Sequence, residues 1–542
     1  MPLIKNKVSA TTPPLTSGVE ETKAGNISPF SSILFPSAAD IPNSTLKSAI
    51  PVFFTDLNLD QIINELTKGK EAYNIGPFYY SGPVSRTTII YRQQVMEDLG
   101  NDRLLAHLEA FADNMQELRK QQKQLDNYFY SSQKQRMFPD LAALYCKTVM
   151  TLRNRLSQEA IRSRGLLAFV NYLNDSVQSP RFQSLIAEIK EITDELSSIN
   201  YCISIQGLQV QVSKYSGETD YSAEVEETFA RFKQGWAKDY QSDFSQAPSM
   251  NMNDVEARIL DGVAQLYPAY FTRLDHFQEE YSNFEDKKIS DFDREIQFYI
   301  AYLRYLAPLK QSGLTFCSPK IVETSSSIYT NEGFDLALAH QLTKEKLPVV
   351  TNDFYLKDEE RIIVVTGPNQ GGKTTFARTF GQLHYLAALG CPVPGREAQL
   401  SLYDKIFTHF EREETIKNLR GKLMDELIRI HAILEQTTPD SLIIINEIFT
   451  STTFQNQLFL SRKIMEKISV SHSRGVWVTF IDELASSSPG TVSMVSSVDS
   501  GNPDRRTFKL KRRPADGLAY ALSVAEKYQV TYDCLRERLN RR

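Results

Sequence analysis

Ile362-Ile-Val-Val365 runs through Thr366 into Gly367-Pro-Asn-Gln-Gly-Gly-Lys-Thr374, and this junction decides the fold. The continuous β-branched run is what a parallel strand covered on both faces requires. The spacing that follows is G-x-x-x-x-G-K-T, a phosphate-binding loop. In such a loop Gly367 and Gly372 let main-chain N–H groups wrap the phosphates, Lys373 reaches the β/γ oxygens and the Thr374 hydroxyl ligates Mg²⁺. A helix opening at about Lys373 would add its positive dipole end. The candidate nucleotide-binding residues are therefore Gly367, Pro368, Asn369, Gln370, Gly371, Gly372, Lys373, Thr374 and Thr375, and the expected cofactors are ATP and Mg²⁺.

Downstream, Ser441-Leu-Ile-Ile-Ile-Asn446-Glu447 reads as a second buried strand that ends in a polar residue and a carboxylate. This is where a P-loop ATPase keeps its metal and water chemistry. Glu447 is the candidate catalytic residue, able to accept a proton from an attacking water or to orient it. Such strands normally end in Asp at the position of Asn446. An amide supplies a neutral carbonyl oxygen to the Mg²⁺ water shell where a carboxylate supplies charge, so Thr374 and Asn446 are the metal candidates and slow hydrolysis is expected.

Thr366 to Thr375, with Pro-Asn inside the loop, resembles the ATPase domain of the MutS family of DNA mismatch-repair proteins, where T-G-P-N-x-G-G-K-[ST] is characteristic. Further pieces fall in that family's order: Gly390-Cys-Pro-Val-Pro394, Tyr403-Asp-Lys-Ile-Phe-Thr408, Asn446-Glu-Ile448 and Asp516-Gly517-Leu-Ala-Tyr-Ala-Leu, then a helix-turn-helix tail at Val530 to Leu539. The resemblance implies an α/β P-loop ATPase domain of ABC/MutS type over 316–542, preceded by a mostly α-helical core or lever over 51–315. It also implies a homodimer, because the family's sites are completed across a subunit interface. It places Asn369 in the nucleotide-sensing position.

Departures from the family pattern are as informative. Its G-x-x-D-x-x-x-x-G-x-S-T-F segment falls on Glu411 to Leu423, so Ser-Thr-Phe becomes Gly421-Lys422-Leu423; Glu414 takes the acidic place, Glu426 keeps the later glutamate, and Arg420 and Lys422 offer charge. The family's T-H-[YF] is Thr479-Phe480-Ile481, with no histidine to sense a γ-phosphate. Phe449-Thr-Ser-Thr-Thr453 keeps hydroxyls but loses glycines. Mismatch readers carry a Phe-x-Glu wedge in a large N-terminal domain, for which no room precedes the helices here. Phe277-Gln278-Glu279 sits inside a helical pattern and reads as packing.

Length and composition set the frame. The 542 residues carry a formal charge of −5 and a pI near 6.0, so DNA contacts would come from local patches or an enclosing shape. Five cysteines without C-x-x-C spacing argue against zinc and disulfides. With neither a long apolar run nor a signal pattern, the expected location is cytoplasmic, with no membrane partner. Residues 1–50 read as a flexible arm in which the short apolar pieces Phe30 and Ile33-Leu-Phe35 offer one candidate docking segment. Leu104, Leu105, Leu108 and Phe111 mark one helix face, and Leu141, Leu144, Tyr145, Val149 and Leu152 another. Gly82 to Arg86 and then Arg92-Gln93 resemble the start of the MutS core. Alternating Ile and Val around Gln206-Gly207 predict a β-hairpin near 202–212, and long helices resume over Asp220 to Lys233 and Ile289 to Leu309. The basic tract Arg505 to Arg513 reads as an edge strand, with a phosphate-contacting patch as the alternative.

Two functions remain open at this level. One is a MutS-like ATP-dependent DNA-binding protein of mismatch repair or recombination, an ATPase that recognises branched or flexible duplex by shape. The other is a nucleotide-binding switch that regulates partner proteins with little hydrolysis or DNA affinity. A transporter ATPase would carry L-S-G-G-Q, which is absent.

Overall fold

The computed structural model describes residues 29–41, 50–80, 82–207, 209–218, 252–323, 326–412, 421–498, 506–515 and 529–540. Helices dominate up to residue 311, and capping side chains fix several of their starts. Ser85 accepts from Thr88 N ahead of the helix Arg86–Asp98, Asp286 accepts from Lys288 N ahead of Lys287–Gln311, and Asn253 and Glu256 form a reciprocal capping box ahead of Asp254–Leu266. Of the expected helical faces, Leu104, Leu105, Leu108 and Phe111 of Asp102–Asn127 are buried, as are Leu141, Tyr145, Val149 and Leu152 of Ser131–Leu156, while Leu144 is half-buried. Phe277 is buried in the helix Pro268–Glu280, as packing requires. The stretch 220–233 lies outside the described residues.

Among the described residues fourteen strands follow the chain: β1 Tyr201–Gln206, β2 Gln209–Lys214, β3 Phe316–Cys317, β4 Lys320–Val322, β5 Ile328–Gly333, β6 Asn352–Leu356, β7 Ile362–Thr366, β8 Val393–Pro394, β9 Glu397–Ser401, β10 Ile406–Phe410, β11 Leu442–Asn446, β12 Arg474–Val478, β13 Thr491–Val498 and β14 Arg506–Arg512. β1 and β2 form the antiparallel hairpin, with Gln206 opposite Gln209 and Gly207 at φ +64° in the turn. Its Val212 meets the helix Asp254–Leu266 at Gly262, while Ile205 near the tip stays exposed.

The six-stranded sheet runs β10-β11-β12-β7-β13-β14, parallel except for the antiparallel edge strand β14. Strand alternation splits its side chains between two cores. Ile363, Val365, Ile444, Val476 and Met494 face the helix Lys373–Ala388 and join the core of the helical region, whereas Ile362, Val364, Ile443, Ile445 and Trp477 pack with Ile430, Ile464 and Met465 on the opposite face. Burial on both faces is why these strands read as unbroken apolar runs. The helical region and one face of the sheet thus share a continuous apolar core. Edge strand β14 carries the basic tract: Arg512 pairs with Glu360 and Lys509 donates to Thr351 O. Arg505 lies outside the described residues, as do 516–528; from the tail, a single helix Tyr532–Asn540 is described.

Part of the segment expected to be a flexible arm is firmly docked. Phe30, Ile33, Leu34 and Phe35 are buried, Tyr91 and Tyr299 hydroxyls donate to Ser32 O and Ile33 O, and Glu295 accepts from Ser32 Oγ at 2.8 Å and Ile33 N at 2.9 Å. The piece has no periodicity of its own. Its order comes from a groove whose polar groups satisfy its backbone.

Gly475 in β12 lies between Ile443 of β11 and Ile362 of β7, and a Cβ there would meet Ile443 O at 1.8 Å. Gly475→Ala must spread the centre of the sheet. Overpacking of this kind is expected to cost about 3 kcal/mol, seen as a lowered melting temperature; an unchanged melting temperature would contradict the strand order.

Candidate functional site

The loop between β7 and the helix Lys373–Ala388 takes its shape from main-chain conformation. Gly367 and Gly372 have φ of +118° and +87°, and Gln370 is left-handed at +58°. A Cβ on Gly371 would lie 2.3 Å from Ser496 Oγ, the hydroxyl that donates to Gly371 O at 2.6 Å. The glycines therefore serve two ends, free turning and close contact with β13. Gly372 N-caps the helix, so its first N–H groups open toward the loop.

Lys373 is buried, its Nζ donating to Gly367 O at 3.0 Å and Pro368 O at 3.1 Å and lying 3.8 Å from Glu447 Oε1. The Phe480 ring lies over the ammonium, 4.1 Å from Nζ to centroid. Burial pushes the Lys373 ammonium below its ordinary pKa and Glu447 above the usual carboxylate range; each charge opposes the other's shift, and Glu411 adds to that of Glu447. The two groups lie within ion-pair distance at 3.8 Å. Glu447 follows β11 directly, with φ +53° and its N–H donating to Val478 O at 3.0 Å. Glu426, buried on the helix Lys422–Gln436, accepts from Phe449 N at 3.0 Å and holds the turn behind Glu447.

Thr374 and Asn446, 72 positions apart, meet here: Thr374 Oγ1 donates to Asn446 Oδ1 at 2.9 Å. The parallel register of β11 against β12, and of β12 against β7, carries the end of β11 to the loop. Among the described residues no group of three or more His, Cys, Asp or Glu is gathered as a metal site. A hydroxyl, an amide oxygen and the nearby Glu447 carboxylate suit a hydrated Mg²⁺, which keeps several waters and takes few protein ligands.

A cavity of about 540 Å³ opens beside the loop. Asn369 to Thr375 and Glu447 line it together with an apolar wall of Leu338, Leu342, Leu347, Pro348, Val349 and Val350. Phe508 and Asn352 also line it, and Asn352 Nδ2 donates to Phe508 O at 3.1 Å while its Oδ1 accepts from Leu510 N at 2.8 Å. The lining thus combines the polar loop residues with an apolar wall.

Of the residues singled out in the sequence, Asn369 to Thr375 and Glu447 line this cavity, and Asn446 joins them through Thr374. Gly367 and Pro368 act through the carbonyls that receive Lys373. Lys422 is spent on an ion pair with Glu411. Glu414 and Arg420 lie outside the described residues. Sequence reasoning missed Ser496, Asp335 and the apolar wall, which come from segments with no motif of their own, and read Phe508 only as part of the edge strand.

The fold and this loop define an α/β domain of the ATPase type. Residues 363–535 match the family model MutS domain V. Proteins named DNA mismatch repair protein MutS are similar over the same part: that of Rickettsia bellii is 29% identical over 34% of this chain and 22% of its own length, and that of Orientia tsutsugamushi 29% over 39% and 24%. The Thermotoga maritima protein of that name is 31% identical over 25% of this chain and 17% of its own. Over residues 363–535 the chain thus carries a domain similar to that of the MutS family. It spans about a fifth of the length of the curated relatives it matches.

Proposed function

We propose that this chain is a MutS-like, ATP-dependent DNA-binding protein that serves mismatch repair or recombination by reading DNA structure, as a homodimer in the cytoplasm. The observation that carries the reading is the meeting of Lys373, Thr374, Asn446 and Glu447 at a cavity with an apolar wall. In this reading the site belongs to a P-loop ATPase domain. Lys373 and the amides of Asn369 to Gly372 hold the phosphates, Thr374 and Asn446 hold the metal's shell, and Glu447 takes the water's proton. Bound Mg²⁺ supplies charge neutralisation along the phosphates. Residues 51–315 would act as the helical core or lever.

A specific observation favours the second reading, a nucleotide switch acting on partner proteins. Phe480 and Glu447 hold Lys373 against the loop carbonyls, and Asn446 brings no charge to the metal, both of which slow turnover.

Binding of labelled DNAs to the purified protein separates the two. Branched duplex is expected to bind more tightly than matched duplex, a single mismatch to add about twofold or less, and affinity to fall as salt rises. A strong mismatch preference would overturn recognition by shape; no DNA binding in any form would leave the partner switch as the better reading.

A further inference from the structure

Four groups along one stripe of the loop-following helix and its C-terminal end are bonded to the helical region. Arg378 Nε donates to Asp56 O at 3.0 Å, Gln382 Nε2 to Leu57 O at 2.8 Å and the Tyr385 hydroxyl to Tyr79 O, while Leu389 O accepts from Arg92 Nη1 at 3.2 Å. Steps of four, three and four residues keep all four on one helix face. Contact is close: a Cβ on Gly381 would lie 2.7 Å from Leu57 Cδ1. From the other side, Asp56 Oδ2 accepts from Thr408 Oγ1 of β10 at 2.6 Å.

Gln382 alone among them also reaches the cavity wall. It is fully buried and uses both ends of its amide, Nε2 donating a second bond to Asp335 Oδ1 at 2.8 Å and Oε1 accepting from Leu336 N at 2.8 Å. Asp335 in turn N-caps the helix Leu336–Lys344 by accepting from Leu338 N at 3.1 Å. Asp335, Leu338 and Leu342 line the cavity. One amide thus joins the loop-following helix, the start of the wall-forming helix and residue 57 of the helical region. Removing it leaves Leu57 O, Leu336 N and a buried carboxylate short of partners.

We propose that Gln382 is a positioning residue that ties the apolar wall of the nucleotide cavity to residues 56–57, so that nucleotide affinity and the docking of the helix Phe53–Asp56 depend on each other. The inference rests on the ATP reading above. Reciprocity follows from linkage: if docking shapes the wall, the nucleotide that uses the wall must favour docking.

The test uses the full chain and a non-hydrolysable ATP analogue, with affinity from calorimetry and amide hydrogen exchange with and without the analogue. In the parent, the analogue is expected to slow exchange over residues 53–59. Gln382→Met, which keeps length but loses every bond, is expected to raise Kd about tenfold and to erase that slowing. A Gln382→Met protein with a lower melting temperature but unchanged Kd and exchange response would overturn the proposal, leaving the residue structural only. If that variant fails to fold, the parent alone decides, since analogue binding without slower exchange over 53–59 refutes the coupling. A parent that binds no analogue sinks the ATP reading itself.

Discussion

Lys373→Ala is expected to abolish ATP binding. The side chain is the only cation among the residues that line the cavity, and it already sits among loop carbonyls that position the ammonium. Charge-assisted contacts are worth about 1.5–3 kcal/mol each, so losing two to phosphate oxygens lowers affinity by about two to four orders of magnitude. The variant leaves Glu447 without its ion-pair partner and Gly367 O and Pro368 O without a donor, so a melting curve of the variant accompanies the titration. Calorimetric titration of parent and variant measures the difference. Equal affinity would remove the loop from nucleotide binding.

Glu447→Gln is expected to lower turnover by about two to four orders of magnitude, the range for loss of a positioned general base, while ATP affinity holds. The amide is nearly isosteric with the carboxylate, and the turn that presents it is held from behind by Glu426 and by Val478 O, neither of which is altered. Asn446→Asp tests the metal separately. Asp keeps the oxygen that accepts from Thr374 at 2.9 Å and adds charge toward Mg²⁺, so turnover should rise. Single-turnover assays with ATP distinguish the outcomes. Full turnover in Glu447→Gln would mean that another group takes the proton, and a slower Asn446→Asp would mean that a carboxylate beside Glu447 and the phosphates repels more than it attracts.

What was legible in the sequence is what short-range chemistry dictates. β-branched runs over 362–365 and 443–445 define strands buried on both faces, and glycines at 367 and 372 mark positive φ ahead of a helix. The same local logic showed the hairpin around Gly207 and the edge strand over 506–512. Tertiary structure alone decided the rest. Ser496 lies 125 residues from the glycine carbonyl it bonds, and Gln382 is 325 residues from Leu57. No spacing rule links such positions, since each contact exists only once parallel strands and packed helices bring the segments together. Phe30 to Phe35 make the point most plainly: a few apolar residues in a Ser- and Pro-rich stretch carry no periodic signal, and they are ordered because Glu295, Tyr91 and Tyr299 line a groove that satisfies their backbone and removes their side chains from water.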